Sequence, residues 1–480
     1  MKKLFSAFLT FLLLPFLCFP ASVEFPSLEP LFVSEKTSSE YSPLQIIQDS
    51  LRFSGCAENS SVWQNCVEKY NFLQAKLAED EFRNLPEIQK AEKILSIMYE
   101  NLLVQYQEKQ TRLDVMFQNG TYNCVSSSLL YMALAKSAGL SVVGVKTPAH
   151  AFCSVFVDGE KIDVETTNPL GFNPGRTQIL EKNGNSTRYA VIPKKNYSNR
   201  RDVSEKTFIS LVGANLTSFY VEKNDYKNAV PMGATVLLLR NGENDFEVSD
   251  AKDVFDVPAL NFSVILEKNG LYAESVEWIL AVAARYGMDS KIQASLNAAL
   301  NNAVADFCNR NDFAAARQVF EACRNFVSPD FMFQAQKMIF LSKVQAGLDK
   351  FSGNDESALD FVLQQYKNEL VAEKSVRQTL DKWQEFYWVN LINAQTKQKN
   401  YQLASQIADN GLKSMPNNQS IKKAKSQAWF NHDAEIHNQM AKFANNRQFD
   451  KAMEILQKGL EENPTSTTLQ NDKKRLEKMR

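Results

Sequence analysis

The spacing of apolar residues changes along this chain, and each change predicts a different kind of element. An apolar run from Leu4 to Phe19 follows Lys2 and Lys3, then gives way to a polar, Pro- and Ser-rich stretch over residues 22 to 42 that reads as a linker or extended arm. From 43 to about 115 the period is helical. Pro86 suits a helix start, and Ala91, Ile94, Leu95, Ile97, Met98, Leu102 and Leu103 line one face. A second helix is expected to open at Cys124, capped by Asn123, with Val125, Leu129, Met132 and Ala133 inward and Gly139 as its stop. The period then shortens to two. Residues 141–148, 150–157 and 160–166 read as strands, with Asp158-Gly159 as a hairpin turn and Tyr189–Ile192 as one more strand. The basic stretch 194–204 reads as a solvated connector, and from 205 onward the chain is helical.

The two-residue turn sets a register. It places Asp163 opposite Ser154 and Thr167 opposite His150, so His150, Glu165 and Asp163 share one face. Glu165 then lies diagonally from His150 at roughly 7–8 Å between Cα atoms, while Asp163 lies roughly 13 Å away. A carboxylate that orients an imidazole must touch it, which favours Glu165. Cys124 at a helix N-terminus feels the positive end of the dipole, which favours its thiolate, the attacking species. Cys153 faces the other way by parity and reads as a buried small apolar residue. Of the three histidines, His432 and His437 lie in a distant polar helical tract, so His150 is the one placed to serve Cys124.

These residues resemble the transglutaminase-like superfamily, the papain-related fold with a Cys-His-acid triad. The matching pieces are G-x-x-x-C-x-x-x-S-x-L from Gly120 to Leu130, P-x-H-A-F from Pro148 to Phe152, and D-V-E-T-T from Asp163 to Thr167. The family's third residue is usually Asp followed two positions later by Thr, and here Glu165 and Thr167 hold those places. The resemblance implies an α+β catalytic domain over 43–204 with Cys124 as nucleophile, His150 as proton carrier and Glu165 as its orienting partner. By analogy with papain-like enzymes, Gln118 is a candidate oxyanion donor beside the backbone N–H of Cys124.

The helical part repeats. Tyr226-x-x-Ala229, Phe313-x-x-Ala316, Tyr401-x-x-Ala404 and Phe449-x-x-Ala452 share a pattern, with weaker versions at Tyr272-x-x-Ser275 and Asp355-x-x-Ala358. Successive units start ~41 to 48 residues apart, and the last two align Gly411 with Gly459 and Pro416 with Pro464. This resembles tetratricopeptide repeats with a lengthened, uneven period. It implies an all-α helical-hairpin solenoid over 205–480 that presents a surface to a protein partner. An ordinary helical bundle is the plainer alternative. The tryptophans in this tract are expected in the core.

Composition narrows the function. A net charge of −1 with no long basic run argues against nucleic-acid binding. No Cys-x-x-Cys pair, His-rich spacing or phosphate-cradling glycine loop is visible, so no metal or other cofactor is expected. The charged and apolar start predicts a secretory signal over 1–21 and export to the periplasm or cell envelope, with no stable membrane span after cleavage. An uncleaved anchor is the alternative. Removal of the signal takes Cys18 with it and leaves six of the seven cysteines; closeness in sequence pairs Cys56 with Cys66 and Cys308 with Cys323, leaving Cys124 and Cys153 reduced, with six free thiols as the alternative. The expectation is an exported thiol-dependent protease or amidase acting on envelope protein or cell-wall peptide, with cross-linking sharing its first half-reaction. The competing expectations are a non-catalytic binding scaffold and, more remotely, a redox protein using Cys124 with Cys153.

Overall fold

The structure, a computed structural model, describes residues 23–33, 40–174, 194–350 and 374–479. The expected signal, Cys18, the strand at 189–192 and the weak repeat at Asp355 lie outside the described residues. The chain divides into two compact units, with the division between Ala299 and Leu300.

The first unit begins with the arm. Residues 23–33 are extended and docked: Phe25 meets Trp278 edge-on at 5.5 Å, Tyr286 donates to the Leu28 carbonyl at 2.5 Å, and the Leu31 N–H donates to Thr235 Oγ1 at 2.9 Å. Helices α1 (Pro43–Phe53), α2 (Ser61–Lys76), α3 (Asp80–Arg83), α4 (Glu87–Asn101) and α5 (Leu113–Asn119) follow, with a short strand β1 (Gln105–Tyr106) before α5. Strand β2 (Thr121–Tyr122) pairs with β1 in parallel, Tyr106 beside Tyr122. Helix α6 (Cys124–Ser137) is the centre of the unit. Every residue from Val125 to Ala135 is buried, as expected of a helix that is apolar or small on all sides.

Strands β3 (Ser141–Lys146), β4 (Ala151–Val157), β5 (Glu160–Val164) and β6 (Arg201–Val203) form an antiparallel sheet ordered β5-β4-β3-β6. The hairpin turn is the two-residue one, with Asp158 and Gly159 both at positive φ (51° and 83°), and Ser154 pairs with Asp163. Helices α7 (Glu205–Glu222), α8 (Tyr226–Leu239), α9 (Asp245–Lys268) and α10 (Tyr272–Tyr286) complete the unit. Gly144 of β3 lies against the Phe208 ring of α7, where an added Cβ would stand 2.4 Å from a ring carbon. One continuous apolar core runs from Tyr41 through α6 to Ala251, so α7, α8 and α9 share it with the sheet. A buried charge network ties the same parts together. Arg240, which caps the end of α8 and is fully buried, meets Glu247 and Asp250 of α9, and Lys146 of β3 reaches Asp250 at 2.6 Å.

The second unit is helical, with hairpins such as Lys374–Lys397 with Tyr401–Ser414 and Gln419–Asn445 with Phe449–Glu462. The repeated aromatics have a structural meaning in both units. Tyr226, Tyr272, Phe313, Tyr401 and Phe449 are each the first residue of a helix. Two positions before each stands a residue at positive φ: Asn224, Gly270, Asn311, Lys399 and Arg447. Ala229, Ala316, Ala404 and Ala452 are fully buried, as is Ser275. Gly411 and Gly459 meet Trp388 and Ile436 of the preceding helices so closely that an added Cβ would stand 3.0 and 2.7 Å from them. Small residues therefore set how near the paired helices approach.

The expected disulfides are not formed. All six described cysteines are free thiols. Cys56 Sγ faces Ser60 Oγ at 4.0 Å, and Cys308 and Cys323 are both buried free thiols. Nearness in sequence does not aim two Cβ–Sγ vectors at one another, which a disulfide requires.

Ala404→Leu is expected to overpack the 401–414 hairpin and cost about 1–3 kcal/mol. Leu403→Ala, at a side chain 41% exposed, should change stability by only about 0.5 kcal/mol or less. Urea denaturation of the full chain checks both, and equal effects would refute the close-approach role of the alanine.

Candidate active site

Cys124 is the first residue of α6, and the cap in front of it is unusually complete. Asn123 Oδ1 accepts from the N–H groups of Val125 (3.0 Å) and Ser126 (3.1 Å), while the Asn123 N–H donates to Ser126 Oγ at 3.0 Å. The Ser127 N–H donates to the Asn123 carbonyl. Among the described residues, the Cys124 N–H is thus the donor of this turn left without a protein acceptor. It points out of the helix start, where an oxyanion would be received. Asn123 is itself held by Nδ2 donating to the Glu108 carbonyl at 3.2 Å, which joins the cap to the strand segment beginning at β1.

His150 ends the turn after β3, where the Thr147 N–H donates to the His150 carbonyl at 2.8 Å. Its side chain is buried, 2% exposed, and its Nε2 meets Glu165 Oε2 at 2.7 Å. Cys124 is near enough to the ring to favour its protonated form. Burial pulls the imidazole pKa down, but the Glu165 charge, the hydrogen bond to Glu165 and the nearby Cys124 outweigh it and raise the value to about 10. Glu165 is opposed in the same way. Burial favours its neutral form, yet His150, Tyr197 and Thr167 hold it below the usual carboxylate range.

Glu165 lies just past the end of β5 and depends on that segment's backbone. Its N–H donates to the Gly171 carbonyl at 2.8 Å, and a Cβ on Gly171 would fall 1.9 Å from the Glu165 carbonyl oxygen. Glu165 Oε1 accepts from the Thr167 N–H (3.1 Å) and Thr167 Oγ1 (2.7 Å). Between them, Thr166 Oγ1 hydrogen-bonds Ser127 and Ser128 of α6 at 2.8 and 2.7 Å. Tyr99 of α4 donates to the Thr166 carbonyl at 2.9 Å. The helix bearing the sulfur and the strand bearing the carboxylate are therefore pinned to each other by buried hydroxyls.

The structure brings Cys124, His150 and Glu165 together and leaves Gln118 apart. Gln118 is exposed in the last turn of α5, and no hydrogen bond joins it to the triad among the described residues. Asp163 faces Ser154 and Arg200 instead of His150. Cys153 is buried beneath the site with its Sγ donating to the Ser128 carbonyl at 3.3 Å, and burial raises its pKa far above the ordinary thiol value. Sequence reasoning missed Tyr197, Arg200 and the Ser127–Thr166–Ser128 cluster. The D-V-E-T-T run carried a signal for the last of these in its paired threonines, whereas Tyr197 had none. No group of acidic, histidine or cysteine residues suited to a metal ion occurs among the described residues. No family model matches this chain, and no curated protein matches it.

The His150–Glu165 pair makes stability depend on pH from both sides. His150 is raised from 6.5 to about 10, so its contribution is complete below about 6.5 and is lost as pH rises through about 10. Glu165 is depressed below 4.5, so its contribution is present above about 4.5 and is lost as pH falls through the folded value. Glu165→Gln is expected to cost most stability between about pH 4.5 and 6.5, and progressively less toward pH 10. Urea midpoints measured across that range check this, and a pH-independent difference would refute the ion pair.

Proposed function

We propose that this protein is a thiol-dependent acyl-transfer enzyme whose nucleophile is Cys124. The observation that carries the reading is His150, hydrogen-bonded to the buried Glu165 at 2.7 Å and close to the Cys124 thiol. Cys124 is also the one described cysteine that is half-buried and not buried. A structural thiol has no need of a buried ion pair at its back.

In the first half-reaction Cys124 gives its thiol proton to His150 as Sγ adds to the carbonyl carbon of an amide. The oxyanion is met by the Cys124 N–H, and the proton on His150 passes to the departing amine as the C–N bond breaks. A thioester remains. Water then adds to it, giving its proton to His150, and the carboxylic acid leaves as the C–S bond breaks. An amine in place of water gives a cross-link through the same steps. Glu165 keeps the imidazole turned toward the sulfur throughout.

The likeness of residues 120–167 to the transglutaminase-like superfamily supports this chemistry, and the charged, apolar start of the chain supports export. Together they favour hydrolysis of an envelope protein or cell-wall peptide. No helix among the described residues is long and apolar enough to cross a membrane. The competing reading, a tetratricopeptide-like scaffold that binds a protein partner, is favoured by Phe386 and Phe430, which are 67% and 68% exposed on the hairpin helices.

Alkylation separates the two. Burial raises the thiols of Cys56, Cys66, Cys153, Cys308 and Cys323, with Cys66 and Cys323 at about 12. Iodoacetamide at pH 7 is expected to modify Cys124 first, read by peptide mass mapping, and His150→Ala should slow that modification at least about tenfold. Uniform slow labelling of the six described thiols, unaffected by His150→Ala, would leave the scaffold reading in its place.

A further inference from the structure

Tyr197 belongs to the basic stretch that looks, by sequence, like a solvated connector. Its hydroxyl instead donates to Glu165 Oε2 at 2.5 Å, the same oxygen that meets His150 Nε2. Its ring stands edge-on to His150 at 5.7 Å and against Phe152 at 5.4 Å. Three residues further on, Arg200 forks onto Asp163, each of two nitrogens 2.6 Å from one carboxylate oxygen. The Arg200 guanidinium also lies 5.0 Å from the centre of the Phe152 ring. One short segment therefore grips Asp163 on the strand that returns from the hairpin and Glu165 just past its end.

Packing alone does not account for this. A phenylalanine would fill the same space against His150 and Phe152, so the hydroxyl is present for the carboxylate. Thr167 secures Oε1 with two donors, and Tyr197 shares Oε2 with His150. The carboxylate so held has one direction left open for the imidazole. We propose that Tyr197 is a positioning residue for the acyl-transfer site, fixing the Glu165 carboxylate against His150, with the Arg200–Asp163 pair setting Tyr197 in place. The proposal rests on the reading of Cys124, His150 and Glu165 given above.

The consequence is electrostatic as well as geometric. A donor to the charged form of an acid keeps that acid ionised to lower pH, so removing the hydroxyl lets Glu165 protonate sooner as pH falls. The other titratable groups facing Glu165 are the Cys153 thiol and the Tyr106 phenol. Burial raises both, and they stay neutral through the acid range. Asp163 faces Tyr197 and is neutralised by Arg200. That leaves His150 to report the protonation of Glu165.

The test is nitrogen NMR of the three histidine side chains in the full-length protein, assigned with His150→Gln. In the wild type, the His150 signals should step on the acid side as Glu165 takes up a proton. In Tyr197→Phe that step should move upward by about one pH unit, with His432 and His437 unchanged. Arg200→Gln, which keeps the hydroxyl but loosens its anchor, should move it the same way by less. An unmoved step in Tyr197→Phe overturns the proposal. If that variant does not fold, an unmoved step in Arg200→Gln does so. A moved step in a protein whose Cys124 is never acylated would retain the positioning role and remove the acyl-transfer reading. Acylation with an unmoved step would do the reverse.

Discussion

The arrangement of the first unit turns on one buried carboxylate. Glu165 is 2% exposed, and an isolated charge at such a depth would be neutralised or expelled. It persists because donors reach it from several elements: His150 from the turn before β4, Thr167 from its own segment, and Tyr197 from the stretch before β6. Each donor has to be delivered by a piece of chain that is itself fixed. The hydroxyls of Ser127, Ser128 and Thr166 fix the strand end to α6, and Tyr99 fixes it to α4. The requirement to satisfy one charge thus propagates through most of the surrounding hydrogen bonds.

The same site draws on helix geometry. Asn123 consumes the donors of the first turn except that of Cys124, so sulfur and open N–H come from one residue at the positive end of α6. The all-round burial of α6 makes that end rigid. The sheet can approach α7 closely because Gly144 has no side chain to hold Phe208 away. Further along, the arm over 23–33 and the Arg240 network bind α8, α9 and α10 to the same core. A repeat pattern that begins at Tyr226 is therefore shared between a unit built around a sheet and a unit whose described elements are helices.

Much of this was legible in the chain. Asp158-Gly159 demands positive φ at adjacent positions, so turn length, register and the facing of Asp163 toward Ser154 all followed from two residues. Asn123 before an apolar helix marked the position of Cys124, and the aromatic-x-x-Ala spacing marked helix starts. The arm was legible as extended and not as docked, because its partners Trp278, Tyr286 and Thr235 are more than two hundred residues away. The disulfides were misjudged because sequence distance says nothing of side-chain direction, and Gln118 because its side of α5 was unknown.

The sequence by itself determined what is local: where helices start, how the hairpin turns, which residues share a strand face, and where alanine and glycine let helices meet. These depend on backbone preferences within a few residues. The tertiary structure alone decided which distant groups share the buried carboxylate. Tyr197 and Arg200 arrive there from a stretch whose composition matches a solvated loop, and the Ser127–Thr166 contact joins elements with no common periodicity. Burying a charge is a cost that only the assembled fold can offset, so its donors are chosen by where the chain returns and not by how it is spaced.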